Sequence, residues 1–145
     1  MHKMENTPKQ LTIFGLIAEG LSVFTYVGLV LIFPFFDRFT FYKDILAEMT
    51  ASEIESFNYI MYLIYIIVFI FAFVFLVIFI INLIIFTKLI KGIYSKEKAK
   101  KVYLYQAIWG GLIMMINLIT GVLYLISGIQ GYNSLVDKVE TREGI

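Results

Sequence analysis

The sequence contains no cysteine, and its only histidine is His2. Disulfides, thiolate metal sites and thiol nucleophiles are therefore excluded, and so are histidine-based metal sites and histidine-dependent triads. Paired intramembrane carboxylates, zinc-protease motifs, nucleophile elbows and phosphate-binding loops are also missing. We therefore expect no enzymatic activity, no catalytic residue, no metal and no cofactor.

Charged residues are scarce as well, at 16% of the chain, whereas 60% of the residues are hydrophobic. Soluble domains have about 25% charged residues. Residues 56–87 and 102–136 contain no charge, and between Lys9 and Asp37 the only charged residue is Glu19. A membrane-spanning helix needs about 20 mostly apolar residues, so each stretch is long enough to span. The formal net charge of +1 gives no reason to expect a nucleic-acid partner.

These stretches predict an all-α integral membrane protein, a bundle of three transmembrane helices in one membrane domain over residues 1–145. Pro34 is expected to end the first helix or to kink its last turn. The predicted segments are spans at about 11–34, 57–88 and 102–129, an outer loop at 35–56, and a lysine-rich cytoplasmic loop at 88–101.

The second span is predicted to be one long helix. Thr50 and Glu53 have the spacing of a capping box, and no glycine or proline follows until Gly92. A helix over 53–91 would reach about 58 Å, against a hydrocarbon core of about 30 Å. It must therefore tilt or protrude.

The outer loop has the pattern of a short amphipathic helix. Its apolar residues recur at helical spacing, with Asp44 and Glu48 on the opposite side. Such a helix could connect the spans along the outer interface, or it could form a docking face for an extracellular partner. The apolar residues are Phe41, Tyr42, Ile45, Leu46 and Met49.

The basic residues predict the orientation. The 88–101 loop has six lysines and one acid, whereas the 35–56 loop has five acids and two basic residues. By the positive-inside rule, the N-terminus and the lysine-rich loop are cytoplasmic, and the C-terminus is outside. The six lysines could bind anionic lipid headgroups, or they could serve only to set the topology. They are Lys88, Lys91, Lys96, Lys98, Lys100 and Lys101.

Small and polar residues align on one face of the first and of the third predicted helix. Such residues let helices approach closely and bond to each other in a membrane. We expect these faces to pack within one chain, although a contact between chains would use the same residues. They are Gly15, Ser22, Gly110, Asn117, Gly121 and Gly128, with Glu19, Tyr26, Gln106 and Tyr124 on the same lines.

Glu19 is the strongest candidate for a functional residue. Placing an ionisable group within a membrane span costs free energy, so such a residue usually has a function. Counting depth along the helices predicts one polar layer of Glu19, Asn82 and Gln106. Burial would favour a protonated carboxyl that donates to an amide oxygen. Three roles remain open for Glu19: a structural hydrogen bond, an interfacial position, or ligand or proton binding.

Two short segments resemble small multidrug resistance transporters. Leu16-Ile-Ala-Glu-Gly20 is similar to their carboxylate-bearing first helix, and Ala107-Ile-Trp-Gly-Gly111 to their tryptophan-containing third helix. The resemblance covers about ten residues of 145, and that family has four spans and no long outer loop. It implies that Glu19 is a shared proton and substrate site with Trp109 as one wall.

The last predicted span, 119–129, resembles the closing helix of small uncharacterised membrane proteins of Gram-positive bacteria. That resemblance and the ten lysines against two arginines favour a bacterial cell membrane. The leading function is a non-catalytic protein acting by contact within the membrane: an accessory subunit, an envelope regulator or a toxin-immunity protein. Its partner would be another protein or a further copy of itself. The alternatives are a proton-coupled transporter or pore that uses Glu19, and a holin-like protein.

Overall fold

The computed structural model describes residues 1–143, and their side chains as far as Lys138. Those residues form helices and connecting turns and no strand. The predicted all-helical architecture is confirmed. The elements are α1 (Asn6–Ile32), a 3₁₀ helix (Phe33–Arg38), α2 (Thr40–Ala47), α3 (Ala51–Ile90), α4 (Lys96–Ile113) and α5 (Leu118–Glu143).

The helix boundaries follow the local chemistry of the chain. Pro34 lies in the first turn of the 3₁₀ helix, directly after α1 ends. At the start of α3 the capping box forms: the Thr50 backbone N donates to Glu53 Oε2 (2.7 Å), and the Glu53 backbone N donates to Thr50 Oγ1 (3.4 Å). The prediction that α3 is a single helix is confirmed, as is a short helix in the 35–56 loop.

Gly92 ends α3 in the left-handed conformation, at φ +69°. The Gly92 backbone N donates to the Leu89 carbonyl (3.0 Å), and the Ile93 backbone N donates to the Lys88 carbonyl (3.1 Å). Ser95 then caps α4 by accepting from the Lys98 backbone N (3.4 Å). Glycine is common at such a left-handed helix end, and serine is a preferred N-cap residue.

The continuous third helix predicted over 102–129 is wrong. The chain turns after Ile113, and α4 and α5 pack against each other as an antiparallel hairpin. Asn117 causes the new start: its Oδ1 accepts from the Thr120 backbone N (3.1 Å), as an N-cap does. The sequence predicts Asn117 as a residue of a helix-packing face, whereas in the structure it begins α5.

The described residues group into two compact units. The first contains Met1–Ser22 and the chain from Phe79 onward, so it includes the hairpin and parts of α1 and α3. Its apolar core includes Phe86, Leu89 and Tyr103, each fully buried.

The first unit also brings the N-terminal segment against the end of α5. Lys138 Nζ lies 3.2 Å from Glu5 Oε1, and the His2 backbone N donates to the Tyr94 carbonyl (2.9 Å). Lys138 of α5 therefore lies at the same end of this unit as Glu5, whereas the sequence predicts a C-terminus on the opposite side of the membrane from the N-terminus.

His2 holds this N-terminal segment in place. Its side chain is buried, and its Nε2 lies 2.8 Å from the Tyr103 hydroxyl oxygen. Burial lowers the pKa of His2 from its ordinary value of 6.5, and so do the positive charges of Lys138, Lys96 and the terminal ammonium group, while Glu5 raises it.

Because the pKa of His2 is lower in the docked state, protonation favours release of the segment, and docking is most stable above pH 6.5, where the residue is neutral in both states. The stabilisation is lost as pH falls from 6.5 through the lowered folded pKa. We expect backbone amides of residues 2–5 to exchange hydrogen several-fold faster at pH 5.5 than at pH 7.5, after correction for intrinsic rates. His2→Gln cannot titrate, so its corrected rates should not change with pH. Equal pH dependence in both proteins would contradict this role of His2.

The second unit, Val23–Ile78, is built from apolar and aromatic contacts. Tyr26 stacks on Phe75 with ring centroids 5.7 Å apart, and Phe33 stacks on Tyr65 at 5.1 Å. The Tyr42 hydroxyl of α2 donates to Asn58 Oδ1 (2.7 Å). An apolar groove of about 210 Å³ in this unit is lined by Val27, Val30, Leu31, Phe69, Ala72, Phe73 and Leu76.

Two helical stretches among the described residues are long and apolar enough to span a membrane, by length and composition: Asn6–Arg38 and Ala51–Ile90. Most of their side chains are exposed, including Phe24 at 79% and Phe73 at 60%. A water-soluble protein seldom exposes contiguous apolar surface on this scale. These two helices support a membrane location.

Candidate functional site

Glu19 lies at the centre of a hydrogen-bonded cluster in the first unit, with only 2% of its side chain exposed. Asn82 Nδ2 of α3 donates to Glu19 Oε1 (2.8 Å), and Trp109 Nε1 of α4 donates to the same oxygen (3.3 Å). The Tyr124 hydroxyl of α5 donates to Glu19 Oε2 (2.5 Å). One carboxyl group thus joins α1 to three other helical segments.

Asn82 also forms a hydrogen bond to Tyr105, which thereby joins the cluster. Its Oδ1 accepts from the Tyr105 hydroxyl (2.6 Å), and its Nδ2 donates to Glu19. The amide is therefore oriented by a donor on one side and an acceptor on the other. Glu19, Asn82, Tyr105, Trp109 and Tyr124 together are called the Glu19 cluster below.

Every side chain that forms a hydrogen bond to Glu19 carries a group able to donate. All three groups that contact it carry an N–H or O–H, and neither ion pair found in the described part of the chain includes it. The expected donation from a protonated carboxyl to an amide oxygen is not the arrangement present, because Asn82 directs its oxygen toward Tyr105.

Of the three residues predicted to form one polar layer, the structure brings together Glu19 and Asn82 and leaves Gln106 apart. Gln106 Nε2 donates to Thr12 Oγ1 (2.8 Å). Thr12 lies two helical turns before Glu19, about 10 Å along α1. Counting 1.5 Å per residue from the helix ends predicts Gln106 too close to Glu19, because neighbouring helices can be displaced along their axes relative to each other.

Gln106 belongs to a second buried cluster. The Thr12 and Ser127 hydroxyl oxygens are 2.7 Å apart, and both lie within hydrogen-bonding distance of the Pro8 carbonyl. Gln106 Oε1 has no hydrogen-bond partner within the described structure, and the same is true of Thr120 Oγ1.

A third contact lies beyond Glu19 on α1. Ser22 Oγ accepts from Asn117 Nδ2 and donates to the Ala18 carbonyl (3.0 Å). Ser22 and Asn117 are among the residues predicted to pack, whereas Thr12, Tyr105 and Ser127 are hydrogen-bonding residues that the prediction does not include. Helical spacing could have identified two of these residues. Thr12 shares one face of α1 with Glu19 and Ser22, and Ser127 shares one face of α5 with Thr120 and Tyr124.

The predicted glycine face has a different partner from the one expected. A Cβ at Gly110 would lie 2.8 Å from the Gly121 carbonyl oxygen, and a Cβ at Gly128 would lie 2.6 Å from the Ala107 backbone N. These three glycines therefore lie between α4 and α5 and do not face α1. The turn at 114–117 separates the predicted third helix into two helices that pack against each other through this glycine face. Gly15 does face α5, where the Tyr124 ring covers it.

All six lysines of the 88–101 loop are exposed. Lys101 pairs with Glu97 (3.4 Å), and the ammonium groups of Lys98 and Lys100 lie over the rings of Tyr94 and Tyr132, at 5.0 and 5.1 Å from their centroids. Lys88, Lys91 and Lys96 complete the set. These lysines lie around the connection between α3 and α4.

Clusters of three or more histidine, cysteine, aspartate or glutamate side chains are absent from the residues described here. A polar crevice of about 510 Å³ lies where the N-terminal segment meets α5, and Glu19 is not in its lining. The crevice is lined by Glu5, Thr7, Pro8, Gln130, Asn133, Ser134, Asp137 and Lys138.

Comparison with known proteins gives no matching family model, no similar curated protein and no similar solved structure.

Proposed function

We propose that this chain is a small non-catalytic protein of a bacterial cell membrane that acts by contact within the membrane. It would serve as an accessory subunit, an envelope regulator or an immunity protein against a membrane-acting toxin. Its N-terminus and its lysine-rich loop would lie in the cytoplasm, and residues 35–56 would lie outside. Anionic lipid headgroups would bind the exposed lysines.

The bonding of Glu19 carries this proposal. An intramembrane carboxyl is the group in this chain best suited to transport chemistry. Here both of its oxygens are bonded by Asn82, Trp109 and Tyr124, and the side chain is buried. We infer that the carboxyl serves to hold these helices together. If the buried carboxyl has a structural role, the exposed surface of the chain is left to perform its function.

That outer surface is apolar over long stretches of α1 and α3. Phe24, Phe73 and Tyr59 are each exposed by 60% or more. Lipid tails satisfy such side chains, and so do the apolar helices of a partner. These exposed faces are the surface through which we expect the chain to bind a partner.

A photo-crosslinking amino acid placed at Phe24 or Phe73 tests the contact function in native membranes. We expect a discrete adduct with one protein, or a dimer of this chain, from at least one of the two exposed positions. The same reagent at buried Phe86 (0% exposed) is the matched control and should give no adduct. Only diffuse lipid adducts from both exposed positions would contradict the proposal.

Proton-coupled transport is the second candidate, favoured by the contact between Trp109 and Glu19. That pair is the one that the resemblance to small multidrug resistance transporters implies. The contact function predicts no proton or lipophilic-cation flux in liposomes above that of empty vesicles. Flux in the unmodified protein that Glu19→Gln abolishes, at equal reconstitution, would establish the transporter instead, because glutamine cannot release a proton.

A further inference from the structure

The turn between α4 and α5 exposes an apolar surface. Residues 112–119, called the hairpin tip here, contain one polar side chain, that of Asn117, which bonds to Ser22 and to the Thr120 backbone N. Met115 is 92% exposed, and its apolar neighbours are more than half exposed. They are Leu112, Ile116, Leu118 and Ile119. The tip thus turns its polar group inward and its apolar groups outward, opposite to a turn in water.

The opposite end of the hairpin is charged. Lys96, Lys98, Lys100 and Lys101 lie in the first two turns of α4, and Asp137 and Lys138 lie in the last part of α5. Because the two helices are antiparallel, these charges lie together, and Lys100 reaches the Tyr132 ring of α5. No charged residue occurs between Lys101 and Asp137.

The apolar part of the hairpin is too short to cross a bilayer. From Val102 to Ile113 the helical rise is about 18 Å, and from Leu118 to Gly131 it is about 21 Å, against a hydrocarbon core of about 30 Å. A full crossing would draw the lysines of α4 into the hydrocarbon, where charged side chains are strongly disfavoured.

We propose that α4 and α5 form a re-entrant hairpin, which enters the membrane from the cytoplasmic side and ends within it. The hairpin tip contacts lipid acyl chains, and the charged base remains in the cytoplasm beside the headgroups. This rests on the proposed membrane location of the chain. Turns within the hydrocarbon need their backbone bonded, and the Ile116 and Asn117 backbone N atoms both donate to the Ile113 carbonyl (2.9 and 2.7 Å).

The absence of cysteine makes a direct test possible, since a single introduced thiol is the only one in the chain. Five variants suffice: Glu97→Cys and Asn133→Cys at the base, Met115→Cys at the tip, Asp37→Cys after α1, and Phe73→Cys within α3. A charged, membrane-impermeant maleimide is applied to intact spheroplasts, to inside-out vesicles, and to detergent-solubilised protein as the measure of full labelling.

We expect the two base variants to react in inside-out vesicles only, and Asp37→Cys in spheroplasts only. Met115→Cys and Phe73→Cys should react at least tenfold more slowly in both membrane preparations than in detergent. The re-entrant hairpin is overturned if Met115→Cys reacts readily from either side, or if the two base variants react from opposite sides. Rapid labelling of Phe73→Cys without detergent is a separate result, which would overturn the membrane location itself.

Discussion

Replacing Gly110 with alanine lowers the melting temperature of the detergent-solubilised protein, whereas the same change at Gly111 does not. A Cβ at Gly110 would lie 2.5 Å from the Leu125 backbone N and 2.8 Å from the Gly121 carbonyl oxygen. Both are backbone atoms, so the two helices must separate to admit a methyl group. Overpacking of this kind costs roughly 1–3 kcal/mol, and 1 kcal/mol corresponds to about 2–4 °C in a chain of this size. We expect a decrease of about 2–12 °C relative to Gly111→Ala.

Gly111 is a matched control because it is the next residue on the same helix. A Cβ there would have no heavy atom within 4 Å. Both substitutions gain the same helix propensity, about 1 kcal/mol, so the difference between them reports the α4–α5 contact alone. Melting temperatures that agree within error would show that these helices are not closely packed at Gly110.

The elements that local chemistry determines could be predicted from the sequence. Pro34, the Thr50–Glu53 capping box and Gly92 each act on their own neighbourhood, and each lies at a helix end in the structure. The break at 114–117 could not be predicted in the same way. Its sequence, Met-Met-Ile-Asn, favours neither a helix nor a turn decisively, and the contacts of α4 with α5 stabilise the turn.

The sequence predicts some residues of the candidate site, but it does not predict all of their hydrogen-bond partners. An ionisable residue in a charge-free stretch identifies Glu19 on energetic grounds alone. Its depth also indicated Asn82, because α1 and α3 are each continuous helices over which a rise of 1.5 Å per residue can be counted. Tyr105 and Tyr124 could not be assigned as partners. Their contact with the carboxyl depends on how the hairpin folds, and no sequence feature predicts that hairpin.

The largest effect on stability is expected from Glu19→Leu. Leucine accepts no hydrogen bond, so Asn82 Nδ2, Trp109 Nε1 and the Tyr124 hydroxyl would all lose their acceptor in a buried site. Hydrogen bonds within membranes contribute about 0.6 kcal/mol on average and at most about 1.7, so the loss of three gives about 2–5 kcal/mol. Glu19→Gln keeps an acceptor for Asn82 and Trp109, and the Tyr124 hydroxyl can rotate to accept from the glutamine amide. We expect it to cost less than about 1 kcal/mol.

A double-mutant cycle with Tyr124→Phe separates the network from simple packing. Tyr124→Phe removes one hydroxyl and keeps the ring that covers Gly15. If the hydroxyl acts through Glu19, Tyr124→Phe destabilises the unmodified protein but has almost no further effect in the Glu19→Leu background, so the two free-energy changes are not additive. Additive changes would show that the carboxyl and the hydroxyl act independently. A Glu19→Gln protein that folds normally but loses its activity in the cell would instead assign the carboxyl a proton-transfer role, because the variant keeps the hydrogen bonds and lacks only the titratable proton.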